Sequence, residues 1–352
     1  MLRNATSTVF TGMKHIFTRP ICSRPRVGVN GFGRIGKCLT RLSFENNVDI
    51  VAINQPFVDV KSIADSLKYD TVHGPFGEKI EVHDQKLRIK GHDMKVFHEE
   101  NPEKIKWSDL LVDYVIDATG KYTEKDQAMK HVKAGAKKVI ISAPSKDAPM
   151  FVRGVNFDVY DQSMKVVSNS SCTTNCAALV IKVIHDGFNV QSCLLTTTHA
   201  MTASQPLHDG LKNRSGPFNI IPSTTGAAKA VGKVIPQLNG KVKGDAARVP
   251  VLDVSLLKLY INVGNEVTVE TITNEIKCRA ESDLNGVLSY TDQKLVSSDL
   301  IGSTFSAIVD LNQIEVMGKM VAIGVWYDNE IGYSTRVLDL LKHMAVIDRE
   351  RK

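Results

Sequence analysis

The residues best suited to covalent chemistry lie in the segment Ser171-Cys172-Thr173-Thr174-Asn175-Cys176. Cys172 has hydroxyl side chains on both sides and stands where the pattern predicts the first turn of a helix. Because the amides and dipole of a helix N-terminus favour an anion, we expect a lowered thiol pKa, and the imidazole of His199 would lower it further. The pair therefore predicts a reactive thiolate. The alternatives are a buried structural cysteine and a structural histidine.

A glycine pattern near the start of the chain predicts a dinucleotide site. Gly31-Phe32-Gly33-Arg34-Ile35-Gly36 follows a short apolar run, residues 26–30, and opens a helical pattern. In that context the glycines allow a tight turn and close approach of a pyrophosphate, which the helix N-terminus then faces. A purely structural glycine turn is the alternative.

The next predicted strand, residues 48–54, should end in an acidic residue that holds the adenosine ribose. Gln55 follows it instead. An amide can hydrogen-bond a hydroxyl but lacks the charge that repels a 2′-phosphate. We therefore predict NAD as the cofactor, with weaker discrimination against NADP.

Two further segments have the composition of anion sites. Ser223-Thr224-Thr225-Gly226-Ala227-Ala228-Lys229 offers hydroxyls and a free amide at a helix start, and Arg248 precedes Val249-Pro250. A guanidinium suits bidentate phosphate binding, although each segment alone is compatible with a helix cap or a surface charge. Two phosphate sites beside a thiolate suggest the oxidation of a phosphorylated aldehyde, with inorganic phosphate as the second acceptor.

Composition narrows the class of protein. The chain has 352 residues and a formal charge of +6, of which residues 1–26 contribute +5 through Arg3, Lys14, Arg19, Arg24 and Arg26. The remaining body is close to neutral, so we expect no nucleic-acid partner. No apolar run approaches the ~18 residues of a membrane span, so no membrane association is expected. The six cysteines have no repeated spacing, so we predict no metal site and a reducing compartment.

Residues 1–25 are predicted to lie outside the fold. They are rich in serine, threonine and arginine and contain no acid. Two interpretations are equally open: a mitochondrial transit peptide and a disordered tail.

The order of predicted elements indicates an α/β protein of two domains. Residues 26–171 are predicted to form a Rossmann-type doubly wound domain, completed by a C-terminal helix within 334–352. Residues 172–333 are predicted to form an α+β catalytic domain with a mixed or antiparallel sheet. The predicted elements comprise helices at 35–44, 172–185 and 334–347, and strands at 114–117, 138–142, 194–198, 252–263, 305–309 and 320–327.

Several motifs together closely resemble phosphorylating glyceraldehyde-3-phosphate dehydrogenase. They are VGVNGFGRIG, ISAPSKDAPMFVRGVN, SNSSCTTNC, TTTHAMTASQ, STTGAAKAVGKVIPQLNGK and WYDNEIGYS. The resemblance runs from about residue 26 to the C-terminus, and the cysteine motif with WYDNEIGYS is highly specific.

The resemblance implies roles for individual residues. Cys172 would attack the aldehyde, and His199 would activate the thiol and take the hydroxyl proton during hydride transfer. A thioester would form, and inorganic phosphate would cleave it. Asn329 would hold the nicotinamide, and Arg34, Ile35, Gln55 and Ser142 fall at other cofactor positions. Ser171, Thr173, Thr225 and Gly226 match the inorganic-phosphate site, and Thr202 and Arg248 match the substrate-phosphate site.

The same resemblance implies glyceraldehyde 3-phosphate as substrate, a homotetramer and a cytosolic location, but the chain departs from the family pattern. Gln55 replaces an aspartate, Glu100 replaces an adenosine-side arginine, and the loop 205–219 is shorter than usual. Val251 and Lys258 replace a threonine and an aspartate. We hypothesise a divergent paralogue with retained chemistry but altered cofactor affinity and assembly. The alternatives are a non-catalytic scaffold and a dehydrogenase of another phosphorylated aldehyde.

Overall fold

The computed structural model describes residues 24–349. The glycine-rich turn follows β1, an inner strand of the first of two sheets. Eight strands lie in the order β3-β4-β5-β2-β1-β6-β7-β8. They are β1 Arg26–Asn30, β2 Asp49–Asn54, β3 Ile80–His83, β4 Lys86–Ile89, β5 His92–Phe97, β6 Tyr114–Asp117, β7 Lys138–Ile141 and β8 Val166–Ser168. From β5 to β8 all neighbours in the sheet are parallel, and β1 lies between β2 and β6. The carboxyl ends of these strands therefore meet at one edge, where α/β proteins bind ligands.

Helices cover this sheet and join its strands. They are α1 Arg34–Ser43, α2 Val60–Lys68 and α3 Lys125–Lys133. The C-terminal helix α7, Ile331–Ile347, packs against α1 and contributes Val337, Leu338 and Leu341 to the same apolar core.

The second sheet is mixed. Seven strands lie in the order β10-β11-β9-β12-β15-β14-β13. They are β9 Val190–Ala200, β10 Ile221–Thr224, β11 Val242–Val249, β12 Ser255–Val263, β13 Leu288–Thr291, β14 Ala307–Met317 and β15 Met320–Tyr327. Only the β9–β11 and β13–β14 pairs are parallel. Helices α4 Cys172–Phe188, α5 Ala227–Val234 and α6 Val269–Glu281 complete this half.

Helix α4 joins the two halves. Most of its residues are buried, and Cys172 at its first position packs against the apolar cores of both halves. The α/β class, the doubly wound parallel strands and the mixed sheet are as the sequence predicts. No helix in the described range 24–349 is both long and apolar enough to cross a membrane.

Some predicted boundaries were wrong. Helix α7 begins at Ile331 rather than Ser334, because the Asp328 carboxylate accepts hydrogen bonds from the amides of Glu330 and Ile331 and so satisfies the first turn earlier. The helix ends at Ile347, as predicted, and Asp348 forms its C-cap. Helix α4 continues three residues beyond the predicted 185, to a left-handed Asn189.

The sequence analysis missed the antiparallel strands β3 to β5 and strand β11. The former are four to six residues long with several exposed positions, so their pattern resembles a loop. The N-terminal extension, assigned to residues 1–25, lies outside the described residues apart from Arg24 and Pro25.

Candidate active site

Helix α4 and strand β9 bring Cys172 and His199 together. The Ser171 hydroxyl caps α4 by accepting a hydrogen bond from the Thr174 amide at 3.1 Å, which fixes where the helix begins. The preceding Ser170 has a φ of 57°, a left-handed conformation that few non-glycine residues adopt. Strand β9 carries His199, whose Nε2 lies 3.5 Å from the Cys172 sulfur. The predicted pair of thiol and imidazole is therefore in contact.

His199 is held neutral by its surroundings. Burial, with a smaller contribution from the charge of Arg248, lowers the imidazole pKa to about 4. Its Nδ1 lies 2.8 Å from the Ala200 carbonyl oxygen and 2.5 Å from Nη1 of Arg248. These two contacts favour opposite tautomers. In the one that donates from Nδ1 to Ala200, the Nε2 lone pair faces the thiol and can accept its proton.

The expectation of a lowered thiol pKa for Cys172 was wrong. Burial at the junction of the two cores raises it, and this exceeds the opposing effects of the hydrogen bonds to Thr173 and of the Arg248 charge. Cys172 is therefore a neutral thiol at rest. Its reactivity depends on a base, and neutral His199 is the base in contact.

The predicted anion-binding residues divide into two groups. Arg248 is the direct neighbour of His199 in the β9–β11 pairing and also donates to the Ala200 carbonyl at 3.0 Å. Thr173 is buried at the foot of α4, where its hydroxyl hydrogen-bonds Tyr327 at 2.9 Å. Arg248 and Thr173 therefore lie beside His199 and Cys172.

The second group is more open. Thr202 is exposed and bonds Ser204 and Gln205, whereas the Thr225 hydroxyl accepts a hydrogen bond from the Ala227 amide at the start of α5. Gly226 is the exposed N-cap residue of α5. Within the described residues none of Thr202, Thr225 and Gly226 hydrogen-bonds Cys172 or His199. Their predicted role in phosphate binding stays a prediction.

The dinucleotide cleft opens at the end of strands β1 and β2 and has a volume of about 550 Å³. Gly31 has a φ of 92°, and its amide donates to the Asn54 carbonyl, which ties the start of the turn after β1 to the end of β2. A Cβ at Gly36 would collide with the Gly31 carbonyl oxygen, so only glycine allows this approach of helix and turn. The first amides of α1 have no helical partner and point out of its N-terminus. This cradle fits a pyrophosphate.

A buried polar network supports this cleft from below, and the sequence analysis missed it. Asn54 donates to Asn30, and Asn30 donates to Asp117, each at 2.8 Å. His131 is fully buried. Its Nδ1 accepts from the Trp107 indole at 3.1 Å, so its proton is on Nε2, 3.0 Å from Asp117. The network ties together the ends of β1, β2 and β6.

The other predicted cofactor residues, Ser142, Ile35 and Asn329, make contacts within the protein and are not among the residues that line the cleft. Ser142 follows β7, and its amide donates a hydrogen bond to the Asp117 carbonyl. Ile35 packs against the apolar core between the first sheet and its helices. Ser255 accepts a hydrogen bond from the Ala200 amide and donates to Asn329, which links the strand of His199 to the start of α7. The preceding Val254 has a φ of 64°, which is strained for a β-branched residue.

The Arg34 side chain forms ion pairs rather than facing the cleft. It bonds Glu330 through Nε at 2.8 Å and through Nη2, and it also bonds Asp70. Cys38, His73 and Glu330 lie close enough together to be considered as metal ligands. Arg34 and His73 already engage both Glu330 oxygens, so this cluster is an ion-pair centre joining α1 to α7.

Comparison with known proteins agrees with this architecture. Residues 25–125 match the NAD binding domain of glyceraldehyde 3-phosphate dehydrogenase, and residues 171–329 match its C-terminal domain. The chain belongs to the glyceraldehyde-3-phosphate dehydrogenase family. The resemblance drawn from the motifs is therefore confirmed, as is an NAD-binding domain.

Individual members of the glyceraldehyde-3-phosphate dehydrogenase family are similar along nearly their whole length. The cytosolic glyceraldehyde-3-phosphate dehydrogenase of Craterostigma plantagineum is 48% identical over 92% of this chain and 99% of its own. Glyceraldehyde-3-phosphate dehydrogenase 2 of Saccharomyces cerevisiae is 47% identical over 91% of this chain and 99% of its own. The cytosolic enzyme of Chondrus crispus is 46% identical over 92% of this chain and 99% of its own.

Proposed function

We propose that this protein oxidises glyceraldehyde 3-phosphate to 1,3-bisphosphoglycerate, using NAD and inorganic phosphate, through a thioester on Cys172. The observation that carries the proposal is the contact of the Cys172 thiol with a neutral His199, in a chain that belongs to this enzyme family. Membership of the family and intact catalytic positions favour an enzyme over a non-catalytic scaffold.

The reaction begins with proton transfer and bond formation at Cys172. His199 Nε2 accepts the thiol proton as the sulfur bonds the aldehyde carbon, and returning that proton to the oxygen gives a thiohemiacetal. His199 then removes the hydroxyl proton while the carbon loses hydride, which leaves a thioester. NAD, when bound, supplies the hydride acceptor. Inorganic phosphate attacks the thioester carbon and the carbon–sulfur bond breaks, which forms an acyl phosphate; the departing Cys172 sulfur takes back the proton that His199 holds.

Other residues hold the reactants during these steps. Arg248 and Thr202 bind the substrate phosphate, and Ser171, Thr173, Thr225 and Gly226 bind inorganic phosphate. The support for the substrate-phosphate site is the Arg248 guanidinium beside His199. The support for the inorganic-phosphate site is the set of hydroxyls and amides at the starts of α4 and α5. Asn329 presents its amide to the nicotinamide while Ser255 fixes its oxygen.

The cofactor is held at the cleft of the first sheet. The glycine cradle and the free amides at the start of α1 fit the pyrophosphate, through Gly31, Phe32, Gly33, Arg34, Ile35 and Gly36. Because the Arg34 side chain is engaged by Glu330, its backbone amide is the group available to the cofactor. Gln55 and Ser142 complete this side.

We assign residues 26–171 with the C-terminal helix to cofactor binding and residues 172–333 to catalysis. A homotetramer is part of the proposal, supported by exposed apolar side chains in the loop 205–219, namely Leu207, Leu211 and Phe218. Sedimentation of the purified protein measures it directly. We also propose a cytosolic location, supported by the two relatives named as cytosolic, whereas no relative named here supports mitochondrial import.

The decisive experiment measures NADH formation from glyceraldehyde 3-phosphate with and without inorganic phosphate. We expect sustained turnover only with phosphate, and at least a ~1,000-fold loss of kcat in Cys172→Ser, because a serine hydroxyl is a far weaker nucleophile and leaving group. Cys278→Ser, at an exposed cysteine, is the matched control and should keep full activity. Erythrose 4-phosphate measured in parallel tests the substrate, since a higher kcat/KM with it would refute glyceraldehyde 3-phosphate. Turnover that ignores phosphate or survives Cys172→Ser would refute the thioester route.

A further inference from the structure

The end of strand β2, where an acidic residue should hold the adenosine ribose, carries no charge in this chain. Gln55 stands there, and both ends of its amide group are engaged by the protein. Its oxygen accepts from the Phe32 amide at 2.8 Å, and its nitrogen donates to the Pro56 carbonyl at 3.2 Å. Gln55 therefore fixes the turn after β1, and something else must supply the charge.

Two carboxylates line the same cleft from the neighbouring strand. Glu99 and Glu100 follow β5, which pairs with β2 so that Phe97 lies beside Asn54. The cleft wall on this side of β1 thus consists of an uncharged strand end and an adjacent acidic pair.

The backbone of the acidic pair is fixed relative to β2. The Asn54 side chain bonds both backbone groups of Glu99, accepting from its amide and donating to its carbonyl, each at 2.9 Å. The Tyr122 hydroxyl donates to the Glu100 carbonyl at 3.2 Å. Asn54 is itself part of the buried network beneath the cleft. The backbone of the pair is therefore held at a set position beside the end of β2.

The basic side chains of the cleft belong to its other wall. Lys121 and Lys130 line it from the segment after β6, which pairs with the opposite edge of β1. The ribose of the adenosine half is expected on the β2 side. A phosphate on its 2′-oxygen would therefore lie nearer to the acidic pair than to the lysines.

We infer that Glu99 and Glu100 supply the negative charge that binds the adenosine ribose hydroxyls and excludes the 2′-phosphate of NADP. Carboxylates accept hydrogen bonds from a free diol but repel a dianionic phosphate. The acidic function has moved from the end of β2 to the segment after β5, so the weaker discrimination expected from Gln55 alone does not follow. This inference rests on the proposed cofactor role of the cleft.

Direct binding of NAD and NADP tests the inference without relying on turnover. Calorimetric titration of the unaltered protein should give at least a ~10-fold preference for NAD. Glu99→Gln combined with Glu100→Gln should reduce that preference about 10-fold, mainly through tighter NADP binding. The matched control is Glu103→Gln, which removes a nearby exposed carboxylate that does not line the cleft and should change neither Kd.

Two further measurements of the NAD preference over NADP test the inference, one at raised salt concentration and one in a compensating variant. Because both carboxylates meet solvent, raising the salt concentration should narrow the NAD preference of the unaltered protein but not that of the double variant. Gln55→Glu, made in the double variant, keeps the oxygen that accepts from the Phe32 amide, loses the hydrogen bond to the Pro56 carbonyl and places a carboxylate at the end of β2, so it should restore the preference for NAD.

The inference is overturned if the double variant keeps the original ratio of dissociation constants, or if the unaltered protein binds both nucleotides equally. Failure of the proposed function gives a different result, because then NAD itself would not bind the unaltered protein.

Discussion

The two ends of the cofactor crevice are built in different ways. At the catalytic end, Cys172 and His199 are held within 3.5 Å by a buried helix start and a central strand, and burial shifts both pKa values. At the adenosine end, the cleft wall is open to solvent, and hydrogen bonds fix the backbone of its two acidic residues, Glu99 and Glu100.

This difference accounts for the two departures from the family pattern on the adenosine side, at Gln55 and Glu100. At the catalytic end a side chain cannot change without leaving a buried partner unsatisfied, and all the catalytic residues implied by the motifs are present. At the adenosine end the backbone network sets the position of the wall, so charges can move from one strand end to the next. We therefore expect catalytic substitutions to act through proton transfer and adenosine-side substitutions to act through affinity.

The largest effect in this comparison is expected from His199→Asn. Asparagine cannot take the thiol proton, and the raised pKa of Cys172 leaves little thiolate without a base, so kcat should fall about 10² to 10⁴-fold. Alkylation of Cys172 at neutral pH should slow as well, whereas the Kd of NAD should stay unchanged. The measurements are steady-state kinetics, iodoacetamide inactivation and NAD titration.

His208→Asn, at an exposed histidine in the loop 205–219, is the control for His199→Asn and should behave as the unaltered protein. Normal kcat in His199→Asn would show that another group takes the proton and would remove the contrast between the two ends.

An intermediate effect is expected from Trp107→Phe, which breaks the network beneath the adenosine end. The change leaves His131 Nδ1 without its donor in a fully buried site, so we expect a loss of about 1–3 kcal/mol in unfolding free energy. Because the network ties β1, β2 and β6 together, the Kd of NAD should rise severalfold. The rate of Cys172 alkylation should not change.

The chain offers a matched control for Trp107→Phe in its other tryptophan. The Trp326 indole donates to Asp310 in the second sheet at 3.3 Å, far along the chain from the cleft. Trp326→Phe should lower stability without changing the Kd of NAD. An equal loss of NAD affinity in both variants would mean that the overall stability of the protein, and not the buried network, determines how tightly the cleft binds NAD.

The sequence predicted the parts whose signals are local. Strands β1, β6 and β15 have the predicted bounds, and the glycine turn and the cysteine at the start of α4 lie where the motifs indicated. These features depend on short apolar runs, on glycines with special geometry and on a helix cap, all of which are visible within a few residues.

The remaining features depend on contacts between distant segments. His131 gave no signal because its partners, Trp107 and Asp117, lie on other elements that only the sheet brings together. The direction of the Cys172 pKa was missed for a related reason: the helix start is local, but the burial that outweighs it comes from two separate cores. The early start of α7 was missed for a different reason, since the Asp328 carboxylate that satisfies its first amides is only two and three residues away and was overlooked as a helix-start signal.

The smallest effect is expected from a buried titratable carboxyl group at the catalytic end. Asp253 is buried, and its Oδ2 has no hydrogen-bond partner among the described residues. Burial, and then the negative charges of Asp328 and Glu330, raise its pKa to about 8. In the folded protein Asp253 therefore keeps its proton up to about pH 8, whereas in the unfolded chain the same carboxyl group loses its proton near pH 4. The contribution of this difference to the free energy of unfolding is complete below pH 4 and is lost as the pH rises through 8.

Asp253→Asn removes this titration, so its unfolding free energy should fall less steeply between pH 6 and 8, by at most about 1.4 kcal/mol per pH unit. Urea unfolding at several pH values measures the slope. Glu100→Gln neutralises an exposed carboxylate at the adenosine end and should leave the slope as it is. Buried charge would then make the catalytic end sensitive to pH, while the exposed charges of the adenosine end respond to salt. Equal slopes in Asp253→Asn and the unaltered protein would mean that Asp253 is ionised in the folded state and that this distinction between the two ends does not hold.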